Sequence, residues 1–565
     1  MSRSGPGSPV LRAVAVLAAV SALAGCSGGD PDAGGDADLI LRGGEIVALA
    51  EGEAVVPALA VRDGRIAYLG DGEGAEALRG PSTGEVDLGG RTVIPGFVDH
   101  HAHLYNVGMS VLNEARGGRL FIDMGGLSAE ALVDSVRHRA ETLPEGTWIR
   151  GKSFLLGWGD RYHPTHEPIT AAAPDHPVFL TRSGHIGWLN AAGMRAVGLD
   201  AETPEVPGGM ILRYADGAPT GMLLERAVEA ATPRIPVPGD SLVLRAFRLG
   251  VERLAAQGVT EIFDAGFLTY PAVADMSADL GRLVRLLAEA DRRAPLPLRV
   301  NLMIPGPSAY QDTVLADPEA RARVSPNVRI THVKIFADGT MYCQTAALSH
   351  PFLGAAEDHR IFRTPEAEIR ETALRALNGG LDVAVHAIGD AGVARVLDVY
   401  EGLLSERPDL DPGRLRIEHY TYASEADFRR ARDLGVVLSV QPHWGPTPGE
   451  EEGDPRIPRE RQDEVSAWTA LTAMGARLAS GTDNFDVPVP YLDLLRAAVA
   501  KEIALEGRGA GTDPRASALR FVTGLHPPGG GPVTRAGLRV GAPADLVVLS
   551  GNPLEAETAD LDTLR

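Results

Sequence analysis

Between residues 148 and 480 short apolar runs of strand length alternate with amphipathic helical stretches, and this alternation constrains the fold more than anything else in the chain. The runs lie at 148–151, 178–181, 261–264, 298–301, 330–336, 382–386, 416–419, 436–440 and 478–480, with helical patterns at 241–257, 365–377 and 424–433 between several of them. Strands that are apolar throughout are buried on both faces. Helices between such strands imply βα units and a parallel sheet. The expected class is α/β, an elaborated (β/α)8 TIM barrel over residues 95–529, with a Rossmann-like layout as runner-up. No Gly-rich phosphate-binding turn follows the first strand, which weighs against the runner-up.

The two ends read differently. Residues 38–91 are short strands punctuated by Gly43-Gly44, Asp63-Gly64 and Gly89-Gly90, the spacing of a small antiparallel sheet. Residues 538–549 have the same character, so 38–94 and 530–565 are expected to join as one composite β-sandwich beside the barrel. Ahead of them, Arg3 and Arg12 precede an apolar run at 13–24 that is too short to span a bilayer. Leu23-Ala24-Gly25-Cys26 resembles a bacterial lipobox, so residues 1–26 are expected to be a lipoprotein signal with Cys26 as the lipidated residue. The Gly-, Asp- and Ser-rich stretch 27–37 is expected to be a tether. That places the protein outside the cytoplasm on a lipid anchor. Cys343 is then the one remaining cysteine, and disulfides are not expected to contribute to stability. The net charge of -21, without a basic stripe, argues against nucleic acid and against contact of the protein body with an anionic membrane.

Chemistry concentrates at the ends of the apolar runs. The stretch Val93-Ile94-Pro95-Gly96-Phe97-Val98-Asp99-His100-His101-Ala102-His103 closes on a His-x-His pair. By strand alternation Phe97, Asp99, His101 and His103 share one face and His100 takes the other. Lys334 lies in the run ending at Phe336, His386 and His419 close two more runs, and Asp483 follows the last. A barrel gathers its strand ends at one mouth, where such imidazole and carboxylate donors would make a shell suited to zinc or a similar divalent ion. Each histidine alone could equally be a hydrogen-bonded core residue. Lys334 is the sharpest of the set, because a buried ammonium next to metal cations is doubly penalised. Carboxylation of its amine would give an anionic carbamate able to bridge two metals; the alternatives are a snorkelling amine or a pair with Asp338. Asp483 could take the proton of an attacking water and pass it to the leaving group, or cap the next helix.

The segment from Pro95 to His103, with histidines and an aspartate ending later strands, resembles the amidohydrolase superfamily of metal-dependent barrel hydrolases. Lys334-Ile335-Phe336-Ala337-Asp338-Gly339, residues 183–190, Pro207-Gly208-Gly209-Met210 and the tail 541–546 resemble the branch containing N-substituted formamide deformylase. The resemblance implies hydrolysis of a non-peptide carbon–nitrogen bond in a small molecule. It also implies one or two metal ions held by His101, His103, Lys334, His386, His419 and Asp483, with Asp483 as the acid/base. Trp158, Asp160, His185 and Trp188 are its substrate-pocket candidates, though either Trp could equally be packing. His443, at another strand end, either faces the site or bonds within its loop.

The chain departs from the branch after Thr340, where Met341-Tyr342-Cys343-Gln344 stands in place of small residues leading to an Arg. Two other functions stay open: an ester, lactone or cyclic-imide hydrolase on the same site, and a non-catalytic binding lipoprotein. The retained Asp483 argues against the last. Oligomeric state, a homo-oligomer included, is not written in the sequence.

Overall fold

The computed structural model describes residues 35–49, 55–154, 156–157, 162–266, 276–317, 324–355, 358–444, 454, 456–464, 475–484, 489–504, 513–524 and 537–564. Cys26, Trp158 and Asp160 lie outside the described residues.

The first five strands are β1 (Leu39–Val47), β2 (Val55–Arg62), β3 (Arg65–Gly70), β4 (Gly84–Asp87) and β5 (Thr92–Pro95). Together with the last, β20 (Leu546–Leu549), they form one hydrogen-bonded sheet in the order β20-β5-β1-β2-β3, with β4 also on β1. Strand β1 bends between Arg42 and Ile46, so its first half pairs with β4 and its second half with β5. Glycine is required at the bend: a Cβ on Gly44 would lie 2.2 Å from the Arg91 carbonyl oxygen. Antiparallel pairing of β20 with β5 brings the two ends of the chain into the same sheet. Asp545 at its margin accepts from Arg299 at 2.6 Å and so ties the sheet to the barrel.

Strand β6 (Phe97–Ala102) opens the barrel. Seven parallel strands continue it: β13 (Val259–Asp264), β14 (Arg299–Pro305), β15 (Val328–Phe336), β16 (Asp382–Ala387), β17 (Leu415–His419), β18 (Val437–Val440) and β19 (Arg477–Ser480). Their order runs β19-β18-β17-β16-β15-β14-β13-β6. The ring is drawn together where the Thr482 amide donates to Asp99 at 3.0 Å and the Asp483 amide donates to the His101 carbonyl at 2.7 Å. Outside, the strands pack against helices in one large apolar core. Inside, among the described residues, Val98, Phe263, Ala265, Met303 and Ala384 form a small apolar cluster.

Between β6 and β13 the chain builds a second sheet from β7 (Ile122–Asp123), β8 (Ile149–Lys152), β9 (Val178–Arg182), β10 (Ile186–Leu189), β11 (Gly209–Arg213) and β12 (Pro219–Glu225). It has its own apolar cores. The runs at 148–151 and 178–181, expected among the barrel strands, belong here. Both sheets contain parallel buried strands joined by helices, so the pattern reports burial and not which sheet provides it.

Candidate functional site

All six strand-end candidates are brought to one mouth of the barrel, and the first of them arrives there by a break in the strand. Opposite β13, Ile262 pairs with Asp99 while Asp264 pairs with Ala102, so three steps of β6 face two of its neighbour. That is a β-bulge. Its consequence overturns the simple alternation of the histidine stretch. Phe97 packs in the outer core and Asp99 accepts from Thr482 and Tyr491, whereas His100 stacks on the inward Phe263 at 4.9 Å and His101 also points inward. His100 therefore does not take the face opposite His101. The bulge lets two consecutive histidines face the interior.

His101, His419 and Asp483 place one donor atom each within 4.8 Å of one another. Asp483 Oδ1 lies 3.0 Å from His103 Nε2 and 3.6 Å from His101 Nε2. The His419 ring sits between those of His101 and His386, at centroid distances of 4.5 and 4.6 Å. His419 and Asp483 are held at φ of 74° and 49°. Such left-handed non-glycine backbones persist where the surroundings over-determine them and gather at functional sites.

Each imidazole has one nitrogen engaged from outside the cluster. His101 Nδ1 meets Glu418 at 2.5 Å, His103 Nδ1 the Gly266 carbonyl at 3.0 Å, His386 Nε2 the Gly339 carbonyl at 2.9 Å and His419 Nδ1 the Gln441 side chain at 3.0 Å. An acceptor on one nitrogen fixes the tautomer and turns the other nitrogen's lone pair toward the centre, the arrangement a metal-ligating histidine needs. Burial keeps three of these rings uncharged and is outweighed at His103, which the hydrogen bond and charge of Asp483 raise: burial pushes His101 down to about 4, with the charge of Lys334 acting in the same direction. His386 and His419 are likewise driven well below the ordinary imidazole value by burial. Burial alone would raise Asp483, but the hydrogen bond to His103 and the neighbouring imidazoles hold it far below the carboxylate range.

Lys334 is buried at 1% exposure, and its Nζ has no hydrogen-bond partner among the described residues. Asp338 is not its counter-ion. That carboxylate instead accepts the amides of Ala347, Ile388 and Gly389 at 2.8 to 3.0 Å. Burial, helped by Arg416 and Arg363 and opposed by Glu418 and Asp483, lowers Lys334 to about 8. Roughly a tenth of the amine is then neutral at pH 7, and only a neutral amine adds carbon dioxide. The folded value lies below the ordinary 10.5, so the metal-free protein binds fewer protons than its unfolded chain between about 8 and 10.5. Its stability should rise with pH across that window and lose the gain on acidification through about 8. Lys334→Met should abolish this rise and stabilise the metal-free protein at pH 7 by about 3 kcal/mol. Urea unfolding of both proteins at pH 7 and pH 10 tests the prediction; a rise that survives in the variant would contradict it.

The substrate-pocket candidates separate. Trp188 is fully buried in the core of the inserted sheet, 5.5 Å from Phe154, and is packing rather than pocket lining. The sequence already left packing open as the alternative for this residue. His185 does reach the mouth, its ring 5.1 Å from that of His386. His443 lies within reach of the Asp483 charge, but burial outweighs it and lowers the ring to about 4. In the departing segment after Thr340, Tyr342 is covered by Arg182, whose guanidinium lies 3.4 Å over its ring.

Sequence reasoning missed Glu418, Arg416, Gln441 and Glu225. Glu418 is fully buried and joins His101 to Arg416, which it meets at 3.0 Å. A cavity of about 260 Å³ opens beside Lys334, lined also by Phe336, Arg363, Arg226, Glu229 and Glu368.

Comparison with known proteins places these features in a family context. The model of the amidohydrolase family described as Amidohydro_3 matches residues 84–565. YtcJ of Bacillus subtilis (strain 168) is 26% identical over 539 residues, covering 93% of this chain and 96% of that one. The N-substituted formamide deformylase of Arthrobacter pascens is 26% identical over 551 residues, 94% of this chain and 96% of that one. Among solved structures, an uncharacterized metal-dependent hydrolase from Pyrococcus horikoshii OT3 superposes with a TM-score of 0.66 at 25% identity, covering 92% of this chain and 99% of that one.

Proposed function

The chain belongs to the amidohydrolase family of metal-dependent hydrolases, and from that premise we propose that it hydrolyses a non-peptide carbon–nitrogen bond of the amide or formamide type. The observation that carries the proposal is the convergence of His101, His419 and Asp483 on one point, with His103, His386 and the orphaned amine of Lys334 around it. These residues fit a divalent metal site: imidazoles of His101, His386 and His419 kept neutral by burial with their outer nitrogens held, an ionised carboxylate paired with His103, and a lysine without a counter-charge of its own. His101, His103, His386, His419 and Asp483 would hold one or two ions, zinc being the best match to this nitrogen-rich donor set. Carboxylated Lys334 would complete the set. The metal, when bound, polarises the scissile carbonyl and makes water a nucleophile near neutral pH.

The chain's own residues do the rest. Asp483 takes the proton from the attacking water and returns it to the leaving nitrogen, so that an amine departs instead of an amide anion. His101 and His103 flank the carboxylate and keep it ionised until it is needed. The cavity of about 260 Å³ beside Lys334 has room for a substituent of a small molecule. Likeness to the Arthrobacter pascens enzyme supports formamides as the first substrates to try. The basic and apolar N-terminal stretch ending in Cys26 supports export and a lipid anchor for the mature protein.

Metal counting on residues 27–565 tests the site. About two equivalents in the parent, reduced in Lys334→Met, are expected for a carbamate-bridged pair. A single equivalent unchanged by Lys334→Met would mean a mononuclear site without that lysine. No metal after refolding with excess zinc would leave the non-catalytic binding lipoprotein as the better reading.

A further inference from the structure

The cavity beside Lys334 is walled by the ends of β14 and β15, by the segment from Arg363 to Glu368, and by the start of the short helix Arg226–Ala231 that follows β12. The charges along its wall are unequally engaged. Arg363 lies 4.4 Å over the Phe336 ring and donates to Glu225 at 3.2 Å and to Glu229 at 2.5 Å. Glu225 is fully buried and also meets His185 Nδ1 at 2.8 Å. Those groups satisfy one another. Arg226 differs. Its guanidinium makes no hydrogen bond among the described residues, and its ion pair with Glu368 is 3.8 Å long between side chains 33% and 34% exposed. That separation is beyond hydrogen-bonding distance.

The chain seats this arginine through the Pro207-Gly208-Gly209-Met210 stretch. A Cβ on Gly208 would fall 2.9 Å from Arg226 Cδ and 2.0 Å from the Arg363 carbonyl oxygen, and the backbone there has φ 77°. The Gly208 carbonyl accepts the Arg226 amide at 3.2 Å. Only glycine lets the turn pass between the two arginines and hold both at the cavity wall.

A guanidinium with open donors at a cavity of about 260 Å³ is a planar fork matched to a carboxylate. The same cavity reaches Lys334, so a molecule reacting at the cluster can lay a substituent toward Arg226. Resting on the hydrolase reading above, we propose that Arg226 binds a carboxylate at the far end of the substrate, which makes the substrates anionic. A formyl group carries only hydrogen beyond its carbonyl, so in a formamide the carboxylate sits on the nitrogen substituent, and hydrolysis releases formate and an amino acid. Glu368, a loose and solvent-screened partner, is displaced when the carboxylate arrives. A cationic substituent finds no such opening, because Arg363 holds Glu229 and Glu368 faces Arg226.

The probes are the N-formyl derivatives of glycine, β-alanine and γ-aminobutyrate, each beside its terminal carboxamide, which keeps the shape and removes the charge. With metal-loaded wild type, kcat/KM for formate release should favour the best carboxylate over its carboxamide by on the order of 10- to 100-fold. Arg226→Gln should remove the preference, and Arg226→Lys, a point charge without the fork, should keep part of it. Glu368→Gln removes a competing carboxylate and should enlarge the preference about two- to fivefold. A merely structural role for either residue would move both members of a pair together and leave their ratio unchanged. Calorimetric binding of the same pairs to the metal-free protein reads the preference without chemistry. Equal values for carboxylate and carboxamide, or a preference that survives Arg226→Gln, overturns the assignment. Binding that prefers the carboxylate through Arg226, with no formate released by loaded wild type, keeps the carboxylate site and removes the hydrolase reading.

Discussion

Replacing Asp483 by asparagine is expected to lower kcat by on the order of 10²- to 10⁴-fold, while bound metal and the unfolding midpoint stay close to those of the parent. Asparagine has the same shape as aspartate, so the contact with His103 at 3.0 Å can be kept. It is also among the few residues that tolerate the left-handed backbone found here at φ 49°. What it cannot do is accept a proton near neutral pH. The backbone bond from the Asp483 amide to the His101 carbonyl is untouched, so closure of the barrel is preserved. Steady-state kinetics on a formamide, run beside metal analysis of the same sample, separates the two effects. Activity within tenfold of the parent would remove Asp483 from proton transfer. Loss of metal together with activity would make it chiefly a ligand.

The sequence shows the ends of strands better than it shows which sheet they join. His101, His103, Lys334, His386, His419 and Asp483 were legible because each lies near, at or just after the end of an apolar run, and a barrel sends all such ends to one mouth. The direction in which His101 points was not legible. It depends on a bulge created by pairing with β13, and a bulge is a property of two strands. Trp188 and His185 illustrate the same limit from the other side. They are three residues apart in one short hairpin, yet one fills an apolar core and the other meets the metal cluster. Only the position of the inserted sheet against the barrel separates them. Glu225 and Glu418 were unreadable for a further reason. Each is an acid inside a buried strand whose histidine partner is far off in sequence, His185 lying 40 residues from Glu225 and His101 317 from Glu418.

Glu418→Ala is expected to be the most destabilising single change in the site, by about 3–5 kcal/mol. Arg416, Lys334 and His101 all feel the charge of Glu418, which is fully buried and held well below the carboxylate range, burial alone acting the other way. Arg416 is 1% exposed and bonds otherwise to the His100 carbonyl at 2.9 Å. Removing the carboxylate leaves a guanidinium buried with no opposing charge beside it, and an uncompensated buried charge costs far more than a lost surface pair. The second effect falls on the metal. With no acceptor on Nδ1, His101 is free to rotate or change tautomer, which should weaken metal affinity by about 10- to 100-fold. Glu418→Gln separates the two. Its amide oxygen can still accept from His101, so metal affinity should recover in part while the charge on Arg416 stays unopposed and stability does not. Urea unfolding of the metal-free proteins and competitive metal titration read the two effects independently. Unchanged stability in Glu418→Ala would mean that water already screens Arg416, and would remove the carboxylate from the support of the site.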